Sequence, residues 1–397
     1  MKRYAIFFPQ FHRARVNDVA WGEGFTDWTL VAAANAFRSW KRRSPACGFY
    51  DLAKPSDVDA QFETAAGAGI DGFGIYHYRF DDGPELDAVE RYLRGRIIPA
   101  GFKYFYIWAN EPWSTRWLGE DMEILKNVSP CPSRQQIAGH VNYLTPFMAS
   151  DSYTRIQGRP LFVIYRPDWF TDAAGTLSLY REEFARAGLN PSIGFFAKDV
   201  DDLGYSNIFD FCYLFEPRLF FNSHGLRKNR AAIKFYKRVV QFLSARQIEK
   251  LSEILSRLLG RQSLNGGSTR HSFSEFLGYF NGWERRALVR SSACPVQNVL
   301  TCGWNNAPRY RRRFTELEVP SARQMAETLP PAPGTQGCSE MIPLLCNAWN
   351  EWSEGAAIEP CAYLGDRLLQ AYLGHDSIPA MSAGEEDVHV SEPANIF

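Results

Sequence analysis

The 397-residue chain is 45% hydrophobic and 22% charged, with Lys plus Arg balancing Asp plus Glu at 44 each. Such a composition describes a globular protein with a large core and no polyelectrolyte field, so nucleic acid is not an expected partner. No run approaches the ~20 apolar residues of a membrane span, and the eight cysteines have neither C-x-x-C nor framework spacing, so the expected setting is reduced and cytoplasmic.

From the N-terminus, the first apolar run covers residues 4–8 (YAIFF) and stops at Pro9, too short for a signal peptide. Seven more follow: 72–78 (GFGIYHY), 103–108 (KYFYIW), 160–165 (PLFVIY), 192–197 (SIGFFA), 209–215 (FDFCYLF), 296–301 (VQNVLT) and 342–348 (IPLLCNA). Helical spacing of apolar residues recurs between most of them, over 57–68, 85–98, 133–149, 176–187, 273–288 and 322–329. The first crossover, between Asn17 and Lys54, is longer and rich in turn residues. Continuous apolar strands alternating with helices predict a parallel sheet covered on both faces, and eight units predict an α/β chain closed as a (β/α)8 TIM-type barrel. One domain is expected over 1–378. No G-x-G-x-x-G follows the first run and no phosphate-binding loop is present, which argues against a dinucleotide fold.

Barrel enzymes carry their chemistry at the C-terminal ends of the strands. Here the runs end in Gln10 and His12, in His77 and Tyr78, in Asn110, Glu111 and Trp113, and in Tyr165 and Arg166. Later runs end in Glu216, in Trp304, Asn305 and Asn306, and in Asn350, Glu351 and Glu354. These groups are expected to converge on one polar, aromatic-walled mouth. High aromatic content (15%) suits stacking on pyranose faces, and suits an aromatic core as well.

A basic helical insertion is expected between strands 6 and 7, over about 218–271. It carries eleven Lys or Arg residues from Arg227 to Arg270 against Glu249 and Glu253, with Ile248, Leu251, Leu255, Leu258 and Leu259 at helical spacing. Such a face is either solvated on the barrel flank or docked on an anionic membrane surface, and peripheral contact with the inner face of the membrane is carried as an expectation. Residues 379–397 read as a flexible acidic tail.

Among chemistries, metal hydrolysis lacks H-E-x-x-H or a zinc-spaced cluster, and serine hydrolysis lacks G-x-S-x-G, so no cofactor is expected. Carboxylates remain. Glu351 and Glu354 in NAWNEWSEGAAIEP share a face if the chain turns after the eighth run, and crowding beside Trp349 and Trp352 would raise the pKa of one of them. Two glutamates favoured by a helix dipole would look the same in sequence. Glu111 is a rival acid, or a structural partner of Arg116. His77 either contacts a sugar hydroxyl or caps the second strand.

The segments AIFFPQFH, WGEGFTDWT, GFYDL, GIDGFGIYHYRF, WANEPWSTRW, GRPLFVIYRPD, GWNNAPR and NAWNEWSEGAAIEP occur in this order over most of the chain. Together they resemble the WbsX-type polysaccharide biosynthesis proteins, related to glycoside hydrolase family 99. The resemblance implies a (β/α)8 barrel and retaining cleavage or transfer at an α-linked, mannose-like glycoside of an oligosaccharide or lipid-linked glycan, within O-antigen or other surface polysaccharide metabolism. A non-catalytic glycan-binding role in a polysaccharide assembly complex is the alternative. By the same resemblance Glu351 deprotonates the sugar 2-hydroxyl to give a 1,2-anhydro intermediate, and Glu354 is the acid/base at the leaving oxygen. The matched segments add Trp28, Trp108, Arg309, Asn347, Trp349 and Trp352 to the strand-end residues as candidate sugar contacts. Asp27, Arg79, Pro112 and Asn305 depart from the family's usual residues at their positions.

Overall fold

The computed structural model describes residues 1–34, 44–115, 123–227, 268–310, 314–329, 339 and 341–375. Eight parallel strands form the barrel: β1 (Arg3–Phe7), β2 (Gly72–His77), β3 (Lys103–Trp108), β4 (Arg159–Ile164), β5 (Ser192–Ala197), β6 (Phe211–Phe215), β7 (Val296–Thr301) and β8 (Leu344–Asn347). They run β5-β6-β7-β8-β1-β2-β3-β4 around the sheet, and β4 pairs with β5 to close it. All eight apolar runs are therefore strands, trimmed at β6 and β8. Every residue of β2, β5 and β7 is buried, because side chains fill the barrel on one face and helices cover the other. Close strand approach also selects residues: a Cβ on Gly194 of β5 would lie 2.2 Å from the Phe211 ring of β6.

The long first crossover holds α1 (Arg15–Trp21), α2 (Asp27–Ala34) and α3 (Pro55–Ala68). Pro55 opens α3 and Gly69, at φ 101°, ends it. Phe62 of α3 packs on Phe73 with ring centroids 5.1 Å apart, which anchors the helix to β2. Four shorter-range helices follow: α4 (Ala88–Leu93), α5 (Arg134–Met148), α6 (Ala173–Arg186) and α7 (Arg218–Arg227). The α4 helix is shorter than the 85–98 pattern predicts, since Arg94 is already extended at its C-terminus. Ser133 and Gln136 form a capping box at the start of α5. The pattern over 273–288 gives two helices instead of one, α8 (Phe273–Phe280) and α9 (Trp283–Ser291), because Gly282 is extended and restarts the chain as an N-cap. The last are α10 (Ala307–Tyr310), α11 (Ala322–Ala326) and α12 (Arg367–Leu373).

Of the expected basic insertion, α7 is helical and residues 228–267 lie outside the described residues, as does the tail 379–397. No helix among the described residues is long and apolar enough to cross a membrane.

Candidate active site

A cleft of about 370 Å³ opens at the C-terminal ends of the strands. Its walls come from around the barrel: Phe8 after β1, Tyr76 and Tyr78 at β2, Glu111 and Trp113 after β3, and Tyr165 and Arg166 after β4. Phe215 and Arg218 follow at β6, Trp304, Arg309 and Tyr310 after β7, and Asn347, Glu351 and Glu354 at β8. Aromatic faces and a few converging polar groups in a concavity of this size are the usual make-up of a small-ligand site.

The two glutamates are placed by a tight hairpin. Asn350–Glu351 pairs antiparallel with Ala356–Ala357, and a single 3-10 turn, Trp352–Glu354, forms the tip. Glu351 precedes that turn without capping it through its side chain, and Glu354 is the acid within it. Gly355 closes the turn at φ 61°, and a Cβ there would stand 3.0 Å from the Asn305 backbone nitrogen. Underneath, the carboxylate of Glu359 accepts from the Trp352 indole (2.7 Å), Gln61 (2.9 Å) and Tyr50 (3.0 Å). Gln61 in turn accepts the Trp349 indole at 2.6 Å. Both tryptophans of the motif are thus fully buried supports of the hairpin.

Arg309, only 2% exposed, binds both candidate carboxylates. One terminal nitrogen pairs with Glu354, and the other lies 2.8 Å from Glu351, 2.8 Å from the Ser353 hydroxyl and 3.3 Å from Asp27. Its helix α10 is set by the Asn305 side chain, which accepts the Ala307 N–H at 3.0 Å. Burial pushes the Glu351 carboxyl well above the usual carboxylate range; Arg309 opposes the rise, while Glu354 and Asp27 add to it. Burial likewise holds the Tyr76 and Tyr78 phenols neutral beside the pair.

Of the sequence-selected site residues, Tyr78, Glu111, Trp113, Tyr165, Arg166, Trp304, Arg309, Asn347, Glu351 and Glu354 line this cleft. Glu111 pairs with Arg166 at 3.4 Å, and Arg116 lies outside the described residues. The others sit behind the wall. His77 is wholly buried, with Nδ1 2.8 Å from Glu90 of α4 and Nε2 2.8 Å from His140 of α5. His140 meets the Tyr180 hydroxyl of α6 at 2.9 Å, so this knot ties β2 to three helices instead of reaching a sugar. His12 is buried with Nδ1 2.8 Å from the Arg13 carbonyl. Trp28 stacks on Phe11 and donates to the Tyr50 carbonyl, and Trp108 donates to the Arg79 carbonyl. The Asn110 amide clamps the backbone N–H and carbonyl of Arg166, each at 2.7 Å. Asn350 does the same to Phe8, and Asn306 accepts the Thr315 N–H. Trp349 and Trp352 are the supports described above. These asparagines and tryptophans position cleft residues without entering the cleft.

Participants that were not singled out as site residues from sequence include Asp27, seen only as a departure from a family pattern, Tyr76 and Arg218. Alternation along β2 could have found Tyr76, since it shares a face with Tyr78. Among the described residues, no group of three His, Cys, Asp or Glu side chains is arranged to hold a metal ion.

Fold and mouth together define a (β/α)8-barrel protein with a carboxylate-bearing, aromatic-walled cleft. Residues 3–372 match the family described as glycosyltransferase WbsX, and the chain belongs to this family of glycan-active proteins. Its sequence is 26% identical over 387 residues to proteins named "Uncharacterized protein WxcX" in two strains of Xanthomonas campestris pv. campestris. The match covers 92% of the chain and 48% of those relatives, so the chain spans about half their length. Among solved structures, it is similar in fold to the glycoside hydrolase family 99 endo-α-mannosidase of Bacteroides thetaiotaomicron. That similarity has a TM-score of 0.52 at 12% identity, over 94% of this chain and 95% of the other.

Proposed function

We propose that this cleft cleaves or transfers an α-linked, mannose-like glycoside with retention, in the cytoplasmic metabolism of a bacterial surface polysaccharide such as O-antigen or capsule. The observation that carries this reading is the common grip of Arg309 on Glu351 and Glu354 within the cleft. In the first step the Glu351 carboxylate takes the proton of the sugar 2-hydroxyl while that oxygen attacks C1. The bond from C1 to the leaving oxygen breaks as Glu354 protonates it, leaving a 1,2-anhydro sugar. In the second step Glu354 removes a proton from water or an acceptor hydroxyl, which opens the ring at C1, and Glu351 returns its proton to the 2-oxygen. Burial supports the first role, because a carboxylate with a raised pKa is a better base toward a weakly acidic hydroxyl once ionised. The α-mannoside activity named for the solved structural neighbour enters here as part of the proposal.

Glu354→Gln, which leaves Arg309 paired with Asp27 and Glu351, is expected to lower turnover of an α-mannoside-containing oligosaccharide by roughly 10²–10⁴-fold with the fold retained. Full activity in that variant would sink the assignment. Product analysis with and without an acceptor glycan separates transfer from hydrolysis. The second reading, a glycan-binding scaffold, is favoured by the closed ion-pair set of Arg309 with Asp27, Glu351 and Glu354, which is complete without a ligand. Binding without turnover, unaffected by substitution at either glutamate, would select it.

A further inference from the structure

Arg218 is a cation of the cleft that the proposed chemistry leaves unused. It stands at the start of α7, on the wall contributed by β6. The neighbouring cations are all matched: Arg309 by three carboxylates, Arg166 by Asp168 (2.5 Å) and Glu111 (3.4 Å), and Lys198 by Asp168 (3.7 Å). The acid nearest Arg218 in sequence, Glu216, is wholly buried and engaged by Arg285 at 3.1 Å and by the Phe220 N–H at 3.0 Å. Among the described residues Arg218 has no carboxylate at ion-pair distance and no hydrogen-bond acceptor. What it does meet is the Trp304 ring, whose centroid lies 5.1 Å from its guanidinium carbon.

That contact matters for recognition. An aromatic face beneath a guanidinium fixes its plane without consuming its N–H donors, which lie in that plane and match a carboxylate or phosphate two at a time. A part-buried guanidinium with five donors and no protein acceptor is costly unless solvent or a ligand supplies the oxygens. Glu354, and after it Glu111, act on Arg218 across the cleft without reaching ion-pair distance, and Glu354 is itself held by Arg309.

We propose that Arg218, held on Trp304, forms a subsite for an oxyanion carried by the glycan substrate, a sugar carboxylate or a phosphate. This rests on the reading of the cleft as a sugar site and narrows its substrate to an acidic glycan or a glycosyl phosphate. Three ligands with one sugar ring test it by calorimetric titration of the full chain: methyl α-D-mannopyranoside, its 6-carboxylate, and α-D-mannose 1-phosphate. The expected result is that at least one charged ligand binds about tenfold or more tightly than the neutral one, the size of one charge-assisted contact. Arg218→Met should erase that preference and its salt dependence, while Arg218→Lys keeps part of it; unchanged melts would show that both variants fold. The charged ligand that is preferred tells a uronate-type substituent from a phosphate. Equal binding of all three, binding by neither charged ligand, or a preference that survives in Arg218→Met overturns the subsite. Loss of turnover in Glu354→Gln is a separate readout, so the catalytic assignment and the anion subsite fail independently.

Discussion

Removing the Arg309 guanidinium would leave Asp27, Glu351 and Glu354 without their common counter-charge in a site where all three side chains are buried. Breaking a buried ion pair by deleting one partner costs on the order of 3–5 kcal/mol, because the remaining charge keeps its desolvation penalty. Arg309→Met is therefore expected to lose that much stability near neutral pH in urea unfolding, and less at pH 5, where the abandoned carboxylates can take up protons. A loss below about 1 kcal/mol at both pH values would mean that the cluster is hydrated or otherwise neutralised. Arg309 itself was visible in sequence only through the GWNNAPR segment, and its pairing with Glu351 and Glu354 was not. An arginine forty-odd residues from two glutamates has no local signal, and the ion pair exists only once β7 and β8 are neighbours. Asp27 was harder still, since it comes from the first crossover and reaches Arg309 at 3.3 Å across 282 positions of sequence. Tryptophans misled in the other direction. Trp349 and Trp352 flank the glutamates, but their indole N–H groups are spent on Gln61 and Glu359 below the hairpin.

The hairpin that carries Glu351 and Glu354 depends on one backbone position. Gly355 has φ 61°, and any Cβ placed there meets the backbone nitrogen, oxygen and Cβ of Asn305 at 3.0–3.2 Å. Gly355→Ala is expected to cost about 1–3 kcal/mol through backbone strain plus contact, and to shift Glu354 relative to Arg309. Gly158, at φ 79° with nothing within 4 Å of a built Cβ, is the matched control: Gly158→Ala carries the strain without the contact. Turnover should fall in Gly355→Ala by more than its stability loss explains, and stay near wild type in Gly158→Ala; equal behaviour of the two would remove the hairpin from the catalytic assignment. At this level most of the chain was readable. Barrel strands are buried on both faces, so each appears as a continuous apolar run, and β2, β3, β5 and β7 can be marked out almost to the residue. Helices were less sharp because their ends are set by single caps, as at Gly282, which splits one apolar pattern into α8 and α9. The hairpin was not readable at all: two paired residues on each side leave no periodicity.

The barrel as a closed object is tied at its first and last segments by one buried carboxyl, and that sets how its stability answers to pH. Glu359 follows the β8 hairpin, while Tyr50 and Gln61 belong to the crossover from β1 to β2; Glu359 joins them with hydrogen bonds of 3.0 and 2.9 Å. Burial pushes its pKa from 4.5 up to about 7, against the pull of the Trp352, Gln61, Tyr50 and Cys47 donors. Between those two values the folded chain keeps a proton that the unfolded chain has released, so the stability contributed by this group falls as pH rises through the window. The shift corresponds to roughly 3 kcal/mol at 1.36 kcal/mol per unit. Glu351, also raised by burial, acts in the same direction, so the wild-type pH dependence alone does not isolate Glu359. The difference between wild type and Glu359→Gln does. Glutamine is neutral throughout and can still accept from Trp352 or Tyr50 through its carbonyl oxygen, so the wild type should lose up to about 3 kcal/mol relative to the variant on going from pH 5 to pH 8. Denaturant unfolding at the two pH values measures that double difference. A value near zero would mean that the carboxyl ionises at its ordinary pKa, and that the four donors around it, not its burial, decide its charge in the folded barrel.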